Sequence, residues 1–477
     1  MTALSKSAIV GVVGAGTMGA GMAQLAAAAG HRVVLFDVGR GAAQKGKAQV
    51  GQGLERLVAK GRKTAEEVDA LLSRIDPVET LSDLSGAGLV VEAIVEDLEV
   101  KRGLFADLEA LVAPDAILAT NTSSLSVTAI ARDLAHPERL VGMHFFNPAP
   151  VMKLVEVVSG VATARKVAEA TFATAEAWGK IAVHTKSTPG FIVNRVARAY
   201  YAEPLRLLEE QVADVAALDA LLTEGAGFRM GPFALMDLIG NDVNYAVSVS
   251  VFNAYFQEPR FRPSILQQEL VNSGRLGRKS GRGFYDYAEG NGPMAAPSAD
   301  PEIADASLIE ALDLQGETEI QGALVALSDG RTASVRAMDQ GRPVLVFDLI
   351  GSSDKARRVA YACSPDLPET VARAFEATIH SRGILATKLP DWPGLVTMRT
   401  VAMLANEAFE AVLQGVATEA EIDAAMLYGV NYPKGPMGWA RKIGLPHVLK
   451  VLDNLNRVTG DPRYRASFLL RRSAGAV

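Results

Sequence analysis

The sequence predicts an α/β domain followed by an all-helical domain, and then a second, weaker copy of the same pair. Short β-branched runs alternate with helical stretches up to residue 186, and from Thr188 the apolar spacing becomes helical. An offset of 393 − 189 = 204 aligns the C-terminal half with the N-terminal half. The predicted parts are residues 1–186 with a helical excursion at 39–75, a helical domain at 187–290, a linker at 291–302, a reduced α/β domain at 303–388 and a second helical domain at 389–477.

Composition restricts the class of protein. The chain has 477 residues, 49% of them hydrophobic and 21% charged, which is ordinary for several packed domains. A net charge of −6 disfavours a nucleic-acid surface, and no run approaches the roughly 20 apolar residues of a membrane span. The only cysteine, Cys363, is expected to be a buried structural thiol. We therefore expect a cytoplasmic protein without a nucleic-acid or membrane partner.

The first predicted strand, residues 8–13 (AIVGVV), leads through a glycine-rich turn into a helix. Gly14 permits the tight turn, Gly16 lets the backbone approach a pyrophosphate, and Gly19 lets the helix pack closely on the strand. Free N–H groups at the helix start favour the phosphates. With Thr17 and Met18, these residues form the predicted dinucleotide cradle of a Rossmann-type domain.

Asp37 follows the second predicted strand, residues 32–36, and lies at a spacing of 37 − 19 = 18 from Gly19, the last glycine of the motif. A carboxylate at this place accepts hydrogen bonds from both ribose hydroxyls and repels a 2′-phosphate. The sequence therefore favours NAD over NADP as the cofactor.

Residues 39–74 are longer than a simple crossover between strands. Apolar stripes predict two helices joined at Gly61, and many lysines and arginines make this excursion basic. A basic surface of this kind is either a solvated helix face or a docking surface for an anionic substrate tail. The sequence leaves both interpretations open.

Polar side chains follow the third and fourth predicted strands, residues 89–94 and 116–119. Glu96 and Lys101 follow the third strand, and Asn121 and Ser123 follow the fourth. Ligands of open α/β sheets bind outside the carboxyl ends of the strands, so these side chains are candidates for ligand binding. Serine and asparagine also cap helices, and both roles can hold at once.

His144 follows the fifth predicted strand, residues 140–143, and Glu156 lies on the sixth, residues 153–158. A carboxylate beside an imidazole fixes its tautomer and stabilises the imidazolium, as a general base requires. Behind a dinucleotide motif, this pair predicts oxidation of a carbinol: His144 accepts the hydroxyl proton while hydride leaves the same carbon for nicotinamide. The dispersed histidines have no zinc-ligand spacing, so we expect no metal site.

On these motifs the sequence resembles the 3-hydroxyacyl-CoA dehydrogenase family, in its long bacterial form with a duplicated C-terminal domain. The matching stretches within residues 8–287 are GVVGAGTMGAGMA, VVEAIVEDLEVK, ATNTSSLSV, GMHFFNPAPVMKLVEVV, TPGFIVNR, GFRMGPFALMDLIG and GRLGRKSGRGFYDY. The resemblance implies that His144 and Glu156 are the catalytic pair. It also implies that Ser123 and Asn194 hydrogen-bond the oxygen on C3 of an acyl-CoA substrate.

The same resemblance implies further contacts to the two ligands. The residues implied to line the NAD site are Asp37, Glu96, Lys101, Asn121, Ser123, Asn147 and Lys279. Lys60, in the excursion, matches a CoA contact of the family, but Gly53 stands where the family often has serine. The resemblance therefore supports a CoA contact at Lys60 and does not support one at Gly53.

The second copy retains the helical landmarks and loses the chemistry. The offset of 204 pairs Pro189-Gly190 with Pro393-Gly394, but it sets Asp348 against His144, Ala360 against Glu156 and Met398 against Asn194. Because the family dimerises through its helical domain, we expect the two helical repeats to form an intramolecular pseudo-dimer with one active site. Whether the chain also forms homo-oligomers stays open.

Arg229, on a predicted loop at residues 225–232, narrows the choice among possible acyl-CoA substrates. GAGFRMGPF and LIGNDVN look most like the family members that act on 3-hydroxyadipyl-CoA in phenylacetate catabolism, and an arginine suits a terminal carboxylate. A solvent-facing arginine is the plain alternative. The other functions left open are a 3-hydroxybutyryl-CoA dehydrogenase, an NAD-dependent hydroxy-acid dehydrogenase that does not use CoA, and a non-catalytic NAD-binding protein.

Overall fold

A computed structural model describes residues 2–288, 316–351 and 356–476. The predicted linker at 291–302 lies outside the described residues. The chain forms two compact units, one of Met1–Val193 with Gly415–Val430 and one of Asn194–Gln414 with Asn431–Val477. The first unit therefore contains a short segment from the C-terminal repeat. Among the described residues, none of the helices could span a membrane.

An eight-stranded sheet of Rossmann type forms the centre of the first unit, with strand order β3-β2-β1-β4-β5-β6-β7-β8. Its strands are β1 (Ile9–Val13), β2 (Val33–Phe36), β3 (Ile75–Val78), β4 (Ala87–Glu92), β5 (Ile117–Thr120), β6 (Leu140–Phe145), β7 (Leu154–Ser159) and β8 (Ile181–Lys186). The strands β6 and β7 pair antiparallel, and the other described neighbours pair parallel. The sequence predicts six of these strands.

The two strands missed by the sequence analysis, β3 and β8, lie at the two edges of the sheet. Their sequences, IDPV and IAVHTK, lack the continuous apolar run of the inner strands, because an edge strand is covered less completely. Pro77 is tolerated in β3 because one side of an edge strand needs no ladder hydrogen bond.

Helices cover both faces of this sheet. The helices of the first unit are α1 (Thr17–Ala28), α2 (Ala42–Ala59), α3 (Ala65–Leu72), α4 (Leu98–Leu111), α5 (Val127–Ile130) and α6 (Arg165–Ala177), together with a helix of the second repeat, Glu419–Gly429. The excursion forms two helices, α2 and α3, with Gly61 in the turn at φ 65°. Thr64 and Glu67 form a capping box that fixes the start of α3.

The second unit is largely helical. The helix Glu419–Gly429 of the first unit is numbered α16 in chain order. The helices of the second unit are α7 (Val193–Val196), α8 (Arg198–Glu209), α9 (Val215–Ala220), α10 (Pro232–Ile239), α11 (Asn241–Ala254), α12 (Ile265–Asn272), α13 (Ala333–Gln340), α14 (Glu369–Ser381), α15 (Thr397–Leu413), α17 (Pro436–Ile443), α18 (Leu445–Thr459) and α19 (Phe468–Ser473). The helical spacing of apolar residues over 191–210 predicts one long helix, and the structure has two helices there instead. Phe191 has φ 48°, which a right-handed helix excludes, and a turn at Ala197 separates α7 from α8.

A five-stranded sheet in the second unit has the order β13-β12-β11-β10-β9. Its strands are β9 (Glu317–Ile320), β10 (Ala323–Leu327), β11 (Val344–Phe347), β12 (Arg358–Cys363) and β13 (Leu385–Lys388). The strands β9 and β10 pair antiparallel, as do β11 and β12, and the other neighbours pair parallel.

Strand register confirms that this smaller sheet is a reduced copy of the first. Gly142 pairs with Val158, and at the offset of 204 Val346 pairs with Ala362. Likewise β7 and β8 pair Leu154 with Ile181, and at the same offset β12 and β13 pair Arg358 with Leu385. Strands β11 to β13 thus repeat β6 to β8 at this offset. Strand β10 takes the place of β5, but it pairs with β11 in a register shifted by two residues, since Leu118 pairs with Leu140 and Leu324 with Val344. The strands that carry the glycine motif and Asp37 have no counterpart among the described residues.

Cys363 differs from the prediction of a buried thiol, because it is partly exposed at the end of β12. The surrounding residues still exclude part of the solvent, and this burial raises the pKa of the thiol to about 11. Since the thiolate is the reactive form, this cysteine is a poor nucleophile at neutral pH.

Candidate active site

The glycine motif connects β1 to α1 and leaves open space above one glycine. A Cβ on Gly16 would meet no atom within 4 Å, whereas a Cβ on Gly19 would lie 1.7 Å from the Gly14 carbonyl oxygen. Gly14 has φ 99°. Among the described residues, no side chain caps the start of α1, so its first N–H groups are available to an anion. These residues fit the pyrophosphate of a dinucleotide, as predicted for Gly14 to Gly19, with Thr17 and Met18 opening the helix.

Asp37 lies at the carboxyl end of β2, beside the glycine turn. Its Oδ2 accepts a hydrogen bond from the Ala15 N–H at 2.7 Å, and its Oδ1 accepts one from the Gly39 N–H at 2.9 Å. The carboxylate therefore fixes the turn, and its remaining lone pairs are available to ribose hydroxyls.

Lys101 is almost fully buried and its ammonium is held by two carboxylates. It lies 2.5 Å from Oε1 of Glu92 and 3.3 Å from Oε2 of Glu96. Glu92 is itself buried and also accepts a hydrogen bond from Thr120. The sequence analysis missed Glu92, although a lone acid inside the apolar strand LVVEAI was the available signal. Glu92 thus joins the ends of β4 and β5 and holds Lys101 beside them, and the role of Lys101 in NAD binding stays a prediction.

Glu96 organises the loop that follows β5. Its Oε1 accepts hydrogen bonds from the hydroxyls of Thr122 and Ser124 and from the backbone N–H groups of Ser123 and Ser124. Burial acts to raise the pKa of Glu96, but the Thr122 hydrogen bond and the Lys101 charge hold it below its usual value. An ionised Glu96 therefore positions Ser123 at the edge of the sheet where a ligand is expected.

Asn121 links the ends of β5 and β6. Its Oδ1 accepts a hydrogen bond from the Phe145 N–H at 2.8 Å, directly after His144. Asn147 lies exposed shortly beyond Phe145. Asn121 therefore supports the imidazole-bearing strand, and its predicted contact with NAD, like that of Asn147, stays a prediction.

His144 and Glu156 face each other across the antiparallel pair of β6 and β7. The His144 Nδ1 lies 2.7 Å from Oε2 of Glu156, and both side chains are buried. A carboxylate only accepts hydrogen bonds, so Nδ1 carries the hydrogen and Nε2 is left as the basic nitrogen. The rings of Phe146 and Phe191 pack against the imidazole, with centroids 4.5 Å and 5.8 Å away.

Glu156 has a second set of partners, which the sequence analysis did not anticipate. Its Oε1 accepts hydrogen bonds from the backbone N–H groups of Ile192 and Val193, each at 3.0 Å. Both residues are buried and follow the Pro189-Gly190 turn. Glu156 therefore supports the imidazole and the start of α7 at the same time.

The remaining predicted site residues are spread over the two units. Asn194 opens the second unit, and its carbonyl accepts a hydrogen bond from Arg198 Nε at 3.0 Å. Arg229 is exposed on the loop before α10, and Lys279 pairs with Asp242 at 2.6 Å. Lys60 is exposed at the end of α2. Their roles in binding NAD or substrate stay predictions.

Comparison with known protein families identifies this architecture. Residues 9–188 match the model of the 3-hydroxyacyl-CoA dehydrogenase NAD binding domain, and residues 190–287 and 394–476 match the C-terminal domain of the same enzymes. Residues 325–393 match the reduced Rossmann-fold domain of 3-hydroxybutyryl-CoA dehydrogenase. The chain belongs to the 3-hydroxyacyl-CoA dehydrogenase family. It is accordingly an NAD-dependent dehydrogenase, and the predicted fold, cofactor and enzyme class are confirmed.

Individual relatives of this dehydrogenase cover it to different extents. The 3-hydroxyadipyl-CoA dehydrogenase of Escherichia coli K12 is 46% identical over 98% of this chain and 97% of its own length. A crystal structure described as 3-hydroxybutyryl-CoA dehydrogenase from Escherichia coli K12 superposes with a TM-score of 0.95, with 46% identity and 99% of both chains covered. The mitochondrial hydroxyacyl-coenzyme A dehydrogenase of Sus scrofa is 41% identical but matches 58% of this chain and 90% of its own.

The open space above Gly16 can be tested in this dehydrogenase with two matched substitutions, Gly16→Ala and Gly19→Ala. We expect Gly16→Ala to fold with an unchanged thermal midpoint and to weaken NADH binding by about 10-fold or more, because the new methyl fills the pyrophosphate space. Gly19→Ala should lower the thermal midpoint as well, since its Cβ meets backbone at 1.7 Å. Fluorescence titration with NADH and thermal unfolding measure the two effects.

Gly53→Ala is the control for this pair, because Gly53 is exposed and its Cβ would also meet nothing within 4 Å. It should leave NADH affinity unchanged and should not lower the midpoint, because alanine favours a helix more than glycine does. Wild-type NADH affinity in Gly16→Ala would show that the cofactor lies elsewhere.

Proposed function

We propose that this dehydrogenase oxidises the C3 hydroxyl of 3-hydroxyadipyl-CoA, with His144 as general base and Glu156 as its positioning partner. The pairing of His144 Nδ1 with a buried carboxylate at 2.7 Å is the observation that carries the proposal. It leaves Nε2 to take the hydroxyl proton, and the carboxylate stabilises the imidazolium that results. Bound NAD supplies the hydride acceptor.

Two further residues complete the proposed site. Ser123 and Asn194 hydrogen-bond the oxygen on C3, as the family resemblance implies, and so orient the hydroxyl toward the base. Ser123 is supported by its place in the loop that Glu96 holds at the carboxyl end of β5. Asn194 is supported by its position directly after Val193, whose N–H is held by Glu156.

The adipyl substrate is supported by the 46% identical Escherichia coli relative that is named for it, over nearly the full length of both chains. The similar Escherichia coli structure is described as a 3-hydroxybutyryl-CoA dehydrogenase, which makes the four-carbon substrate the alternative. The exposed Arg229 favours the dicarboxylic substrate, because its guanidinium can bind a terminal carboxylate through two hydrogen bonds. A place in phenylacetate catabolism and a cytoplasmic location are part of the same proposal.

The second half of the chain is proposed to act as an intramolecular partner. Two buried ion pairs in the second unit support this: Arg195 with Glu407 at 2.6 Å, and Arg399 with Glu203 at 2.9 Å. The offset of 204 converts each pair into the other, since 195 + 204 = 399 and 203 + 204 = 407. A self-complementary exchange of this kind is typical of a two-fold interface.

Other contacts related by the same offset support the pseudo-dimer. Phe228 and Tyr432 are equivalent positions of the two repeats, and they pack edge to face with ring centroids 5.0 Å apart. In the second unit, Glu224 of the first helical repeat pairs with Arg358 on β12 at 2.8 Å. In the first unit, α16 of the second repeat packs on β7 and β8, and Glu421 accepts a hydrogen bond from the backbone N–H of β8 at 3.0 Å. Each helical repeat thus contacts the sheet that belongs to the other.

One active site per chain is proposed, because the second copy fills the corresponding strand end with ion pairs. Asp329, at the carboxyl end of β10, is buried between Arg331 and Lys450. Burial acts to raise the pKa of Asp329, but its hydrogen bond with Arg331 and the nearby arginine charges hold it far below the usual value. A substrate hydroxyl would have to displace these charges.

We expect His144→Gln to lower kcat by roughly 10² to 10⁴ with 3-hydroxyacyl-CoA substrates, because no base then takes the hydroxyl proton. NADH affinity should stay at the wild-type value. His136→Gln, at an exposed histidine, serves as the control and should leave kcat unchanged. A near-normal kcat in His144→Gln would refute the proposed mechanism.

We expect Arg229→Ala to lower kcat/KM for 3-hydroxyadipyl-CoA by about 10-fold or more, from the loss of a charge-assisted hydrogen bond, and to leave 3-hydroxyhexanoyl-CoA nearly unaffected. Arg229→Lys keeps the charge and should lose less. The ratio of the two kcat/KM values is the measurement. An unchanged ratio in Arg229→Ala would remove this residue from substrate selection.

We expect deletion of residues 300–477 to give an insoluble or newly self-associating fragment, because Arg195 and Glu203 lose their buried partners. Light scattering of the fragment beside the full-length chain measures the association. A stable, monomeric and fully active fragment would contradict the pseudo-dimer.

A further inference from the structure

The two oxygens of Glu156 serve different groups. Oε2 receives the imidazole of His144, and Oε1 receives the N–H groups of Ile192 and Val193. Both N–H groups are in buried residues just after the chain has turned at Gly190, which has φ 74°. Buried N–H groups need a partner in the folded state, and here the partner is a carboxylate from a neighbouring strand.

The second copy has the same turn with a different carboxylate beneath it. Gly394 has φ 74°, and Val396 and Thr397, the equivalents of Ile192 and Val193 at the offset of 204, are also buried. Their N–H groups donate to Oδ2 of Asp348 at 2.9 Å and 2.7 Å. The other oxygen of this carboxylate accepts two more backbone N–H groups, those of Leu349 and Met398, each at 2.8 Å.

Asp348 stands at the position of His144 and not at that of Glu156. The N–H of Asp348 donates to the carbonyl of Ala360 at 2.8 Å, so these two residues repeat the cross-strand pair of His144 and Glu156. The second copy therefore has neither the histidine nor the glutamate, and it has a carboxylate on the opposite strand. That carboxylate binds the same two N–H groups.

We infer that a carboxylate beneath the first turn of each helical repeat is a requirement of the fold, separate from catalysis, and that Glu156 meets it in the first copy. Glu156 is thus a positioning residue for two groups, the imidazole of His144 and the backbone that leads into Asn194. The shorter Asp348 side chain serves the second copy from the facing strand, where it has no imidazole to hold.

Substitutions in the full-length protein separate the two tasks of Glu156. In Glu156→Gln the amide oxygen still accepts the two N–H groups, but the amide nitrogen faces Nδ1, which must then accept a hydrogen and leave Nε2 protonated. We expect an unfolding midpoint close to wild type and a fall in kcat of roughly 10² or more. In Glu156→Ala both the midpoint and kcat should fall, the midpoint by about 4 °C or more.

The decisive test places the carboxylate of the first copy where the second copy has it, on the strand that carries His144. In the double variant His144→Asp with Glu156→Ala, the new carboxylate should reach the N–H groups of Ile192 and Val193, so the midpoint recovers toward wild type while activity stays absent. His144→Ala with Glu156→Ala is the matched control and should not recover. Asp348→Ala should lower the midpoint as Glu156→Ala does, and Asp348→Asn should lower it less.

The inference has two parts. The role of Glu156 toward the imidazole of His144 rests on the proposed function, and its role toward the backbone N–H groups does not, so the outcomes distinguish the two. Wild-type midpoints in both Glu156→Ala and Asp348→Ala, or the same midpoint in the two double variants, would overturn the structural requirement. Full activity in Glu156→Gln would overturn the catalytic part and leave the midpoints to decide the rest.

Discussion

The hydrogen bonds of the Glu156 carboxylate are the interactions on which the proposed catalytic end of the first unit depends. It lies on β7, faces His144 across an antiparallel pair, and accepts two N–H groups from the backbone that leaves the sheet after β8. Its burial makes these bonds stronger than they would be in water, and makes an unpaired partner correspondingly costly. The orientation of the His144 imidazole and the path of the chain after β8 are therefore set by one side chain.

Duplication explains how the rest of the chain is held together. Strands β11 to β13 repeat the register of β6 to β8, and the two helical repeats exchange buried arginine–glutamate pairs that are related by the offset of 204. The reduced copy keeps the strands and turns that hold a helical repeat, and its described residues lack the strands that would hold a dinucleotide.

Several site residues support the ligand site through other protein groups. Lys101 is held between Glu92 and Glu96, and Asn121 binds the backbone of Phe145. Asp37 binds the glycine turn through one oxygen, at the Ala15 N–H, and the backbone just after β2 through the other, at the Gly39 N–H. Charged and polar groups at a sheet edge keep a defined geometry only when their own hydrogen bonds are satisfied, so these contacts prepare the site before any ligand binds. Their effect on binding is expected to act through that geometry.

Local and periodic patterns in the sequence were enough to predict the parts that depend on neighbours in the chain. The strand, glycine turn and helix from β1 to α1, the spacing from Gly19 to Asp37, and the offset of 204 are all local or periodic features, so they could be read without coordinates. Edge strands β3 and β8 and the break before α8 could not, because their patterns are weak and packing decided them. The three-dimensional structure was needed to show that Glu92 holds Lys101 and that α16 covers β7 and β8. It was needed also to show that Asp348 accepts the N–H groups of Val396 and Thr397, whose equivalents in the first copy bind Glu156. These contacts join separate elements of the fold, and a buried polar group accepts whichever partner the fold brings within about 3 Å.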